Sequence, residues 1–390
     1  MSVKAQIVFL LKYSIPLVIS LVIQFFLVKI FLKKFPFRSF QGKLILVAAL
    51  IFNLLFLFIF ADYILGLTLP EDVYLYVFVP AVGYQLVTGL GVVFYFLSNM
   101  FSVLQPLLRA DKKTDSLQNA ERRAILAGGI ISAVSTAFFI RGIFNARDNY
   151  RIKRVIIHVS GLKNSFTAAQ ITDIHAGWFF GKKKIRELRN VISDLNADLI
   201  FFTGDQLHGS HKDFVYQLRD GLEGISSRYG VYQVSGNHDH RLGKEILFSE
   251  LRKIGITSLD NEVKTLSIKG DKIQIAGIDD IFYKGNIETV LSRLEPSIPS
   301  ILLSHRPEIL DHPDVNNFDA VLAGHTHGGQ ICIAGKCASD YDSGYRYGIY
   351  KRGKTTMFIS SGAGVTGPPL RFGSKPEIAL ITFTGETIDS

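Results

Sequence analysis

Five short segments carry the residue types that can hold metal ions and move protons. They are Asp173-Ile174-His175, Gly204-Asp205, Gly236-Asn237-His238-Asp239, Ser304-His305 and Gly324-His325-Thr326-His327-Gly328-Gly329-Gln330. Imidazole nitrogen suits Mn, Fe, Zn and related ions, and a carboxylate oxygen can bridge two cations. In Asp173-x-His175 and His325-x-His327, alternate side chains share a face if the backbone stays extended. Glycines at 204, 236 and 324 permit tight turns that bring ligands off strand ends. Each piece alone is weak, since Asp-x-His arises by chance and Gly-Asp is a common turn. A lone histidine such as His158 or His312 is more often structural or solvated than a ligand. Five such pieces in order, each behind a β-prone run, are hard to obtain by chance.

Those runs are the elements that must position the chemistry. Residues 166–172, 199–203, 231–235, 273–278, 301–304, 321–323, 357–360 and 378–383 are apolar and rich in strand formers. Residues 183–195 have helical spacing, with Leu188, Val191, Ile192 and Leu195 on one face. Residues 214–225 and 245–254 also read as helices. The pattern predicts an α/β domain over residues 150–390, long enough to bury a full core. In such folds ligands gather outside the carboxyl ends of the strands, where all five segments fall.

This order of Asp-x-His, Gly-Asp, Gly-Asn-His-Asp, His and Gly-His-x-His resembles the calcineurin-like metallophosphoesterases over roughly residues 155–385. The extended Gly-His-Thr-His-Gly-Gly-Gln-Ile and the later Gly-Pro-Pro-Leu-Arg-Phe-Gly-Ser-Lys-Pro-Glu-Ile resemble a membrane-associated bacterial branch. The resemblance implies a four-layer α/β/β/α sandwich and two divalent cations about 3.5–4 Å apart that activate a water for attack on phosphorus. Asp173, His175 and His327 would hold the first cation, Asn237, His305 and His325 the second, and Asp205 would bridge them. His238 would donate to the phosphate or protonate the leaving oxygen, and Asp239 would orient His238. Gln206 departs from the aliphatic residue usual after Gly-Asp, at a position that is not a ligand. His208, His211 and His240 match no ligand position.

The first 149 residues read differently. Apolar stretches at about 15–32, 44–67, 73–97 and 124–144 are each long enough to cross a bilayer as a helix. The last is the least apolar, and its alternative is a buried or interfacial helix. Lys33, Lys34, Arg38 and Lys43 follow the first stretch, and Arg109, Lys112, Lys113, Arg122 and Arg123 follow the third, whereas Glu71 and Asp72 stand between the second and third. The positive-inside rule then predicts a multi-pass protein of the cell membrane with an extracytoplasmic catalytic domain. If the fourth stretch does not cross, that domain is cytoplasmic.

The chain's 390 residues carry a net charge of +9, much of it beside the apolar stretches. No stripe of basic and aromatic residues marks a nucleic-acid surface, and no nucleic-acid partner is expected. Cys332 and Cys337 are the only cysteines, which excludes a disulfide framework or zinc cluster and leaves one short disulfide or two free thiols. The expected partners are the bilayer and a phosphate-ester or pyrophosphate substrate, with a lipid-linked one attractive because confinement raises its local concentration. The alternatives are a phosphodiesterase acting on soluble nucleotides or nucleic acid, and an inactive membrane receptor or scaffold.

Overall fold

The computed structural model describes residues 150–385 apart from 210, 242, 334, 338–343 and 368, together with scattered positions at 39–54 and 134–146. The chain divides into two compact units, Met1–Arg141 and Gly142–Ser390. The four expected membrane stretches lie almost wholly outside the described residues. Among those described, no helix is long and apolar enough to cross a membrane. Val47, Leu50, Ile51, Leu54, Val134, Phe138 and Ile140, all within the first unit, are exposed apolar side chains.

The second unit is built on two six-stranded sheets. The first follows the order β1 (Arg151–His158), β14 (Glu377–Thr384), β2 (Phe166–Ile171), β3 (Leu199–Thr203), β4 (Val231–Val234), β5 (Ile256–Ser258). The second follows β12 (Gly348–Arg352), β13 (Thr355–Ile359), β9 (Ala320–Ala323), β8 (Ser300–Leu303), β7 (Asp271–Gly277), β6 (Glu262–Ile268). Strands β2, β3, β4 and β5 pair in parallel, as do β7, β8, β9 and β13. A small hairpin pairs β10 (Cys332–Ile333) with β11 (Lys336–Cys337).

Alternation decides which side chains meet between the sheets. Phe166 and Ala168 of β2, Leu199 and Phe201 of β3, Ile273 and Ile275 of β7, and Ile301 and Leu303 of β8 enter one shared cluster. Apart from Ala168, each of these buried side chains contributes about 1.5–3 kcal/mol. The opposite face of the second sheet packs Leu302, Val321 and Met357 against Ile287 and Val290 of α4 (Ile287–Leu291) and against Ile309, Leu310 and Val315 of two 3₁₀ turns. Helices α1 (Lys182–Asp194), α2 (Lys212–Leu222) and α3 (Lys244–Arg252) pack in succession, and α3 rests on β5. This is the α/β sandwich that the resemblance implied.

Strands β1, β5, β6 and β12 do not stand out in the sequence. β6 is largely polar and half exposed, and β1 carries Arg151, Lys153 and Arg154. Edge strands with charged side chains resist pairing with other molecules, and the same charges hide them from a search for apolar runs.

Candidate metal centre

The expected residues come from the carboxyl ends of five parallel strands: Asp173 and His175 after β2, Asp205 after β3, Asn237, His238 and Asp239 after β4, His305 after β8, and His325 and His327 after β9. The ladder continues past the strand ends and fixes these loops. Asp173 N–H donates to Gly204 O, His175 N–H to Asp205 O, and Gly324 N–H to His305 O.

The side chains do not converge through an extended backbone. Asp173, His175, Asp205, His325 and His327 have φ of 54°, 49°, 51°, 71° and 51°, in the left-handed region. Non-glycine residues there are uncommon, and such strain concentrates at functional sites. Only one of the three glycines acts through a turn. Gly204 has φ of 92° and a Cβ there would also strike the His305 ring, while a Cβ at Gly236 would strike Asp205 and one at Gly324 would strike Thr172 and Asp173. Gly236 and Gly324 are therefore needed for close approach.

Two mixed sets of ligand atoms result. Asp173, His175 and His327 form one, and Asp205, His305 and His325 the other. In the first, His175 Nε2 lies 3.0 Å from His327 Nε2, and Asp173 Oδ1 lies 3.3 Å from His327 Nε2. In the second, His305 Nε2 lies 3.3 Å from Asp205 Oδ2 and 3.2 Å from His325 Nδ1. Asp205 Oδ2 is also 3.6 Å from His175 Nε2, so this one oxygen faces both sets. His305 Nδ1 donates to Thr203 O, which fixes Nε2 as the atom turned inward. Asp173 Oδ2 is taken by Thr172 Oγ1 and His325 N–H, leaving Oδ1 for the cluster.

Burial lowers His175 and His327 well below the ordinary histidine value, and lowers His325 to about 3 with help from the His305 and Arg306 charges. Burial alone would lower His305 too, but the charges of Asp205 and Asp173 outweigh it and raise His305 to about 10. Asp173 is raised to about 6, mainly by burial. A proton on His305 balances the carboxylates. Asp173 Oδ1, His175 Nδ1, Asn237 Oδ1 and His238 Nδ1 are buried without a hydrogen-bond partner. Unpaired buried oxygens beside neutral imidazoles are the chemistry that a divalent cation satisfies. The residues fit such ions.

The loop after β4 departs from expectation in one respect. Asp239 does not hold the His238 ring. Its Oδ1 accepts from Leu207 N–H and its Oδ2 from Gly236 N–H, so it ties the β3 and β4 loops together, and burial raises it to about 8. His238 is set by its backbone instead, through N–H donation to Asp205 Oδ1. Its ring lies 4.7 Å from that of His175, and burial lowers it to about 4.

Sequence reasoning missed His208, whose spacing matches no motif. With His175 and His238 it forms a third potential ligand group, and burial lowers it to about 3. Gln206 stays out of the cluster and bonds Gln233 Oε1 and Val234 O. Arg371 lies in the segment singled out at 367–378. Its guanidinium is fully buried and donates to the carbonyls of Ser361, Gly364 and His327, buckling the His327 turn to the loop after β13. Cys332 and Cys337 form a disulfide immediately beyond that turn.

The sequence profile described as Calcineurin-like phosphoesterase matches residues 166–329. The Bacillus subtilis metallophosphoesterase YkuE is 34% identical over 230 residues, covering 56% of this chain and 79% of its own length. A Campylobacter jejuni metallophosphoesterase is 28% identical, covering 75% of this chain and 78% of its own. A Bos taurus protein described as a transmembrane protein with a metallophosphoesterase domain is 30% identical, covering 73% and 68% respectively.

Proposed function

The chain belongs to the calcineurin-like phosphoesterases, metal-dependent hydrolases of phosphate esters, and from that membership we propose a two-cation centre built from its own strand-end residues. Asp173, His175 and His327 would hold one cation, and Asn237, His305 and His325 the other. Asp205 would bridge them. The observation that carries this reading is the single Asp205 oxygen facing both His175 and His305. Bound cations of the Mn, Fe or Zn type would neutralise phosphoryl oxygens and lower the pKa of a water there.

The chain's own groups do the rest. His238 is neutral near pH 7 and keeps one N–H, and its Nδ1 has no protein partner. It donates to a phosphoryl oxygen, and once the phosphoryl anion raises its pKa it takes up a proton from solvent that it passes to the leaving oxygen, returning to the neutral form. His208 stands beside it, ring centroids 6.0 Å apart, as a second neutral contact for the phosphoryl group. Asp239 positions the loop that carries His238.

The proposed organisation is a membrane region over 1–149 and a catalytic domain over 150–390. The apolar stretches support it, as do the exposed apolar residues of the first unit and the similarity to a protein described as transmembrane. Anchoring favours a lipid-linked phosphate ester or pyrophosphate as substrate. Reporter fusions after residues 113 and 150 should report opposite sides of the membrane. If both report the cytoplasm, the fourth stretch does not cross and the substrate is a soluble or inner-leaflet ester.

The enzymatic reading is tested on purified full-length protein with bis-p-nitrophenyl phosphate. Metal analysis should find about two cations per chain. Chelation should abolish hydrolysis, and added metal should restore it. Full activity in metal-free protein would end the proposal.

A further inference from the structure

The loop after β7 is the feature of the catalytic domain that metal chemistry does not use. Phe282 and Tyr283 are 67% and 54% exposed, in a domain whose other aromatic side chains are mostly buried. The loop is braced. Asp280 O accepts from Tyr283 and Gly285 N–H, and Asp280 Oδ1 accepts from Phe282 N–H. Each ring also rests on a fixed planar group. Tyr283 stacks on His240 at 4.3 Å and 5°, and His240 Nε2 is 2.7 Å from Asp279 Oδ1. Phe282 lies under the Arg306 guanidinium, 4.7 Å away, and Arg306 Nε donates to Asp280 Oδ2 at 2.7 Å.

Arg306 connects this platform to the centre. Its Nη1 is 2.8 Å from His325 Nε2, while His325 Nδ1 faces His305. One guanidinium therefore separates the Phe282 ring from a proposed ligand. A phosphate ester seated at the centre must carry its organic substituent outward, and this surface lies within reach. Two held rings with open outer faces favour a flat partner, because offset stacking adds to simple area burial.

We propose that Phe282 and Tyr283, backed by Arg306 and His240, form the subsite for the organic substituent of the phosphate ester, and that this substituent bears a planar aromatic ring. The proposal rests on the phosphoesterase reading above but replaces its preference for a lipid-linked substituent. It places an aryl or nucleoside-type ester ahead of one with a purely aliphatic substituent.

The test compares two competitive inhibitors of bis-p-nitrophenyl phosphate hydrolysis by the metal-loaded full-length protein. Phenylphosphonate and methylphosphonate share a headgroup, and only the first has a ring. Phenylphosphonate should inhibit about five- to tenfold more tightly. In a Phe282→Ala/Tyr283→Ala variant that advantage should fall below about twofold, with methylphosphonate changed little. Individual Phe282→Leu and Tyr283→Leu variants, which keep bulk without a flat face, should each lose part of it. Equal inhibition by both compounds in the unaltered protein, or an advantage that survives the double substitution, overturns the proposal. So does an intact advantage combined with weakened binding of the double variant to anionic phospholipid vesicles, which would assign the rings to the bilayer. Absence of hydrolysis with metal bound would instead remove the parent reading, and this proposal with it.

Discussion

Two groups of buried charge lie among the strand-end loops, and they are finished differently. Both carboxylate oxygens of Asp279 are paired. Its Oδ2 accepts from Lys244 Nζ at 2.5 Å, and its Oδ1 accepts from Ser235 Oγ and Asp280 N–H and faces His240 Nε2. Burial alone would raise Asp279, but the bonds from Lys244, Ser235 and His240 outweigh it and hold it below the ordinary value. Around Asp205 the pairing is incomplete, with orphaned buried atoms on Asp173, His175, Asn237 and His238 and left-handed backbone at five residues. A satisfied network fastens loops. An unsatisfied one held in strained geometry awaits a ligand.

The sharpest way to break this contrast is to remove the central oxygen. Asp205→Ala should lower turnover by more than about 10³-fold, since it removes the proposed bridge between two cations that would then repel. Metal at a hundredfold excess over its dissociation constant should stabilise the unaltered protein by about 2.7 kcal/mol for each site filled. That shift should shrink markedly in Asp205→Ala. An undiminished metal-induced rise in melting temperature would show that Asp205 is as structural as Asp279.

Next in size, His238→Ala should retain metal by elemental analysis and lose about 10²–10⁴-fold in turnover, the scale of a proton-transfer group. Loss of metal from this variant would move His238 from substrate contact to ligand.

The satisfied network should answer in the opposite currency. Lys244→Met leaves Asp279 buried without its cation and should cost about 3–5 kcal/mol in denaturant unfolding. Metal should still stabilise the variant. His240→Ala leaves Lys244 and Ser235 in place and should cost only about 1 kcal/mol. If His240→Ala were as inactive as His238→Ala, the division between the two networks would be misplaced.

The pH dependence separates bare from loaded centres. His305 is raised from 6.5 to about 10, so its contribution to metal-free stability is complete below 6.5 and lost as pH rises through about 10. A cation must displace that proton, so metal affinity should rise with pH over this window. Calorimetry in buffers of different ionisation enthalpy should detect the proton release. Affinity independent of pH between 7 and 9 would show that His305 does not give up a proton to the metal.

The sequence by itself determined which residues stand behind which strands. The β3 run at 199–203 is apolar throughout and ends in Gly-Asp, and β2, β4, β8 and β9 announce themselves as plainly. Strands buried on both faces read as continuous hydrophobic runs, and their ends are local in the chain. Tertiary structure alone decided what those ends do to each other. No local pattern brings His208 toward His238, gives Asp239 to backbone N–H groups, turns Asp173 and His327 into the left-handed region, or places Arg306 between His325 and Phe282. Each depends on a sheet order that sets β2 beside β3 and β8 beside β9 and faces one sheet with the other. Contacts across 152 residues, as between His175 and His327, arise from that packing and leave no periodicity in the sequence.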